Sequence, residues 1–161
     1  MTDHAIVLHS SLWKTISSTG DWPDFAAVRP EDFPAFFDAA MNAHRIEIDA
    51  ISSNVSKPGF SNTVAAMERC GKKLSRVASV FYALCGAHTN AELQAAERDM
   101  SPKLSRHSSA IVLDPALFSR IDDVFTRRAS IAEEEQLSAE DLRLVERLHQ
   151  DFVRGGARLS S

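Results

Sequence analysis

A chain of 161 residues with 44% hydrophobic and 25% charged residues has the makeup of one ordinary globular domain and enough length to bury a core. Its net charge of −4 gives no basic footprint for nucleic acid, and no apolar run is long enough to span a bilayer. The start, MTDHAIVLHSSLWK, lacks a basic leader before its short apolar patch, so no secretory signal is expected.

Residues 1–30 are expected to form an irregular arm, with one helical turn around Leu12–Ile16. Trp22 and Phe25 should pin an extended, proline-bounded segment. Residues 31–161 are expected to form one helical domain. Its first helix is predicted over 31–52, where Phe33, Phe36, Phe37, Ala40, Met41, His44, Ile48 and Ile51 recur at three- and four-residue steps. Glu31 and Asp32 suit its positive end. Residues 52–60 read as a loop.

A second, unbroken helix is predicted over 62–85, closed by Gly86. Cys70 and Cys85, on this one helix, would lie roughly 22 Å apart, so both are expected as reduced, buried thiols. A third helix should open on a Thr89–Glu92 capping box and kink or split near Met100–Ser101, ahead of Pro102. Asp114-Pro115 starts a helix to about Arg128. Ser138 and Asp141 form a capping box for the last helix, 139–154, which Gly155-Gly156 stops. The fold class is therefore all-α, an antiparallel bundle of about five helices.

The candidate sites have plain readings. His4 and His9 fall in the arm, His44 and His107 in apolar register, and His88 at a helix end. Glu146-x-x-His149 is the one metal-like spacing, but a di-metal bundle needs the motif twice. Asp122-Asp123 lacks a calcium-loop pattern, and neither a Gly-x-Ser-x-Gly elbow nor a phosphate loop occurs. Lys72-Lys73 and Glu133–Glu135 read as solvated stretches. No catalytic, metal or cofactor-binding residue is assigned. Ile46, Val80 and Tyr82 lie off the main stripes, which points to a second packing partner, a larger protein or another copy.

Several short motifs share an order and spacing with a known family. They are Pro23-Asp24-Phe25, Arg29 to Phe33, Phe60-Ser61-Asn62-Thr63, Ala87-His88-Thr89-Asn90 with Glu92-Leu93-Gln94, Ser101 to Leu104, Asp114 to Phe118 and Phe152 to Ala157. On these the chain, from about Trp22 onward, resembles the amino-terminal helical region of the thimet-oligopeptidase-like zinc metallopeptidases, which include peptidyl-dipeptidases and oligopeptidase A. The resemblance implies a peptide hydrolase in which this region forms part of the wall of a channel that admits short peptides; the cytoplasm is expected from the reduced thiols of Cys70 and Cys85. It implies that zinc and its His-Glu-x-x-His ligands belong to a catalytic half, with the sequence continuing well past Ser161. His-Glu-x-x-His is absent here. The chain is accordingly expected to be inactive alone, with no cofactor of its own, and to partner that catalytic half or itself. A free-standing helical interaction module derived from the family is the alternative, and a metal-binding bundle a remote third.

Overall fold

A computed structural model describes residues 13–14, 28–87 and 90–159. Among them no strand occurs, and the all-α class stands. The α-helices are α1 (Phe33–Ser52), α2 (Ala65–Arg69), α3 (Lys72–Ala87), α4 (Ala91–Val112), α5 (Pro115–Thr126), α6 (Arg128–Glu134) and α7 (Ala139–Arg154). Short 3-10 turns at Pro30–Asp32 and Ala157–Leu159 and a π-helical turn at Phe60–Val64 complete the set. Most of the expected arm lies outside the described residues, including His4, His9, Trp22 and Phe25. Trp13 and Lys14, within the expected turn, are helical.

Several boundaries follow from local chemistry. Asp114 Oδ1 accepts the amides of Ala116 (2.9 Å) and Leu117 (3.1 Å) at the start of α5. Ser138 and Asp141 form the expected capping box of α7, and Gly155 and Gly156 end that helix. The opening of α4 differs by one residue. Asn90 Oδ1 accepts the Leu93 amide at 2.8 Å, so Asn90 holds the cap position expected of Thr89, which lies outside the described residues.

Four expectations are corrected. The predicted helix 62–85 is broken: Cys70 is extended and Gly71 is left-handed at φ 69°. Gly71 is required there, because a Cβ would also stand 3.0 Å from the imidazole of His44. The helix that follows runs through Gly86 to Ala87. Pro102 does not split α4, which is continuous from Ala91 to Val112. Pro102 is exposed, so water can reach the carbonyl deprived of its amide partner. The helix expected to reach Arg128 ends at Thr126, and an unpredicted α6 follows.

The described residues divide into two compact units. One holds those up to Arg45 together with Gly71–Arg106. Its core is aromatic: Phe81 meets Phe33 (4.8 Å) and Phe37 (5.4 Å) edge to face, and Trp13 tilts against Phe36. Burying each such ring contributes roughly 1.5–3 kcal/mol. Val80, expected off the stripe, is 2% exposed and belongs to this core, whereas Tyr82 is 45% exposed.

The other unit holds Ile46–Cys70 and the residues from His107 onward. One of its clusters gathers Ile48, Ile51, Leu117, Phe118, Ile121 and Phe152. A second joins Val64, Val124, Ile131 and Val145. Leu117, Ile121 and Val124 line one stripe of α5 and are fully buried.

Candidate functional site

The densest polar arrangement lies in this second unit, beneath residues 53–63. Arg120 occupies the apolar register of α5, three residues after Leu117, and is 7% exposed. Its guanidinium donates to the carbonyls of Asn54 (2.5 Å) and Ser56 (3.1 Å), to Asn62 Oδ1 (3.1 Å) and to Thr63 Oγ1 (3.3 Å). Its Nε has no hydrogen-bond partner among the described residues. A buried guanidinium held by neutral acceptors fixes backbone more firmly than a lysine could, because its donors fan out in one plane.

Asn62 is the centre of the turn. Its Oδ1 also accepts the Gly59 amide (3.0 Å) and the Thr63 hydroxyl (2.9 Å), while its amide nitrogen donates to the Lys57 carbonyl (3.0 Å). Arg127 closes the outer side. It donates to the Pro58 carbonyl at 2.7 Å and pairs with Asp123. The Arg127 hydrogen bond holds the Asp123 carboxyl below the usual carboxylate range.

Glu135, expected to be merely solvated, accepts the amides of Phe60 (3.0 Å) and Ser61 (3.3 Å) and the Ser61 hydroxyl (3.0 Å). It thereby caps the helical turn from across the unit. The turn Phe60-Ser61-Asn62-Thr63, one of the short motifs of the sequence, is thus a built structural joint. Sequence reasoning did not single out Arg120 or Arg127, and read Glu135 only as part of a solvated stretch. The available signal was a charge at an apolar stripe position, Arg120.

The histidines divide plainly. His44 and His107 are half-buried, as expected, and His88 lies outside the described residues. His149 is 4% exposed, with Nε2 2.9 Å from Asp122 Oδ1. Its ring stacks on Phe125 at 3.8 Å and 1°, and Arg128 lies over the same Phe125, 4.4 Å from its centroid. Glu146 reaches Arg128 at 3.8 Å, so the Glu146-x-x-His149 pair turns to separate partners. Among the described residues no group of three potential ligands could hold a metal ion.

Cys70 and Cys85 are free and only partly buried, not fully buried as expected. Burial and a nearby glutamate, Glu47 and Glu97 respectively, raise both thiols above their ordinary range. Two open clefts belong to this second unit. One, of about 330 Å³, is lined by Glu68, Glu140, Asp141, Arg143, Leu144 and Arg147. The other, of about 290 Å³, lies at the end of α7 and is described below. No helix among the described residues is long and apolar enough to cross a membrane.

The sequence relates this helical chain to a peptidase family. No family model matches it. Dipeptidyl carboxypeptidases from Escherichia coli strain K12 and Salmonella typhimurium strain LT2 are each 41% identical to it over 138 residues. The match covers 86% of this chain, which spans about a fifth of the length of those relatives (20% of each). Over those residues the chain belongs with the dipeptidyl carboxypeptidases.

Proposed function

We propose that this chain forms part of the helical wall of the substrate channel in a zinc peptidase of the dipeptidyl carboxypeptidase type. In this reading it shapes access for short peptides and does not cut them. The observation that carries it is the 41% identity, spread over 86% of the chain but only 20% of each relative. The absence of His-Glu-x-x-His supports it.

The described residues do not fit a zinc ion. His149 is taken by Asp122 and Phe125, Glu146 by Arg128, and no third ligand stands with them. Zinc and the base that activates its water would therefore belong to another part of the enzyme, and no hydrolytic step is assigned to this chain. The free thiols Cys70 and Cys85 support a reducing compartment, the cytoplasm.

The test is complementation. The remaining part of the Escherichia coli relative, produced separately, is mixed with this chain and assayed on a short peptide with zinc. Co-elution on size-exclusion chromatography with recovered cleavage is expected. Neither co-elution nor recovery would overturn the reading in favour of a free-standing interaction module.

A further inference from the structure

At the carboxyl-terminal end of α7 a groove of about 290 Å³ is lined by Phe125, His149, Gln150, Val153, Arg154 and Arg158. Its floor is fixed before anything binds. His149 is held by Asp122 and stacks on Phe125, and the Arg128 guanidinium lies over that ring. Its rim is cationic. Arg127, Arg128 and Arg147 of the same unit each pair with a carboxylate. Arg154 and Arg158 are exposed, and neither makes an ion pair among the described residues.

We infer that this groove is a docking site for an acidic peptide segment that carries an apolar or aromatic side chain. Two guanidiniums with no ion pair among the described residues, beside an apolar floor, select that combination. Each can take a carboxylate through paired donors, while an aromatic or branched side chain packs on Val153 and the edge of Phe125, whose two faces are taken by His149 and Arg128. The volume is at the lower limit of ligand pockets and suits one or two side chains. A preformed floor spares the ordering cost of assembling the site. The occupant is a segment from the remaining part of the peptidase, since the matched stretch is 20% of each relative and most of such a protein lies outside it. This assignment of the occupant rests on the proposed function.

The test uses the 161-residue chain and synthetic peptides tiling the unmatched sequence of the Escherichia coli relative. Binding is followed by amide chemical shifts. Acidic peptides are expected to shift the signals of Gln150, Val153 and Arg154 and to weaken at high salt. The double variant Arg154→Gln/Arg158→Gln should melt like the parent, because both side chains are exposed and make no ion pair among the described residues, yet bind roughly tenfold or more weakly. The inference is overturned if no acidic peptide binds the parent, or if the double variant binds equally well. In the complementation assay, equal co-elution of parent and double variant would remove the groove while leaving the channel-wall reading intact. Failure of the parent to co-elute would remove both.

Discussion

Arg120 shows how one side chain can set a whole turn. Its guanidinium joins α5 to backbone at Asn54 and Ser56 and to side chains at Asn62 and Thr63. Thr63 is fully buried, so water cannot readily replace the donor it would lose. Arg120→Ala should therefore cost about 2–4 kcal/mol, read as a lower urea midpoint, because several acceptors lose their partner at once. Arg120→Lys should recover less than half of that, since one ammonium cannot span a fan of acceptors. A loss below about 1 kcal/mol in Arg120→Ala would show that the clamp does not hold the turn. By the same reasoning, replacing Asn62 should loosen the turn: its oxygen and nitrogen are both engaged, and no other residue of that size offers both.

Helix ends separate what the sequence makes legible from what it does not. Asp114-Pro115, Ser138 with Asp141, and Gly155-Gly156 were readable because cap and helix are adjacent in the chain. The Glu135 cap at Phe60 was not, because its partners are 74 and 75 residues away and only the fold joins them. The break at Cys70–Gly71 was missed for a related reason: an apolar stripe continues through it, and the His44 contact that demands glycine is tertiary. The functional relationship was legible in short motifs, whereas the Arg120 clamp needed the fold to bring α5 beneath the turn.

The end of α6 was also unreadable, because it uses glutamine where glycine is usual. Gln136 sits at φ 52°, and the Leu137 amide returns to the Ala132 carbonyl at 3.0 Å, a Schellman closure. Gln136→Gly should stabilise the protein by about 0.5–1 kcal/mol, seen as a higher urea midpoint, because it relieves the left-handed strain. An unchanged or lower midpoint would mean that the strain is already relaxed.

The α7 cap predicts a pH effect. The Ser138 hydroxyl (2.7 Å) and amide (2.9 Å) donate to Asp141 and hold its carboxyl below the ordinary range. A depressed folded pKa stabilises above the unfolded value, about 3.9, and that contribution is lost as pH falls through it. Acidification below about pH 4 should lower the urea midpoint of the parent more than that of Asp141→Asn. Parallel profiles would rule the cap out as a contributor.

At the scale of the molecule, the described residues form closed cores without help from another chain. The first unit encloses Phe33, Phe37 and Phe81, and the second encloses two aliphatic and aromatic clusters. Few large apolar residues among those described are left outside: Ile46 (60% exposed), Val55, Tyr82, Leu113 and Leu159. Single exposed apolar residues do not prevent a protein from folding alone. The 161-residue chain should therefore fold in isolation, with a circular dichroism spectrum dominated by helix. Folding does not supply chemistry. Zinc-assisted hydrolysis needs ligands with an open position and a base beside the bound water. Here the sequence has no His-Glu-x-x-His, and the described histidines and carboxylates gather no such set. The folded chain should release no product from short peptides, with or without zinc, even while its helical spectrum is intact. Zinc-dependent cleavage by purified material, lost in His149→Ala or His107→Ala, would show that this chain carries an active centre and would place the channel-wall reading second to an enzymatic one.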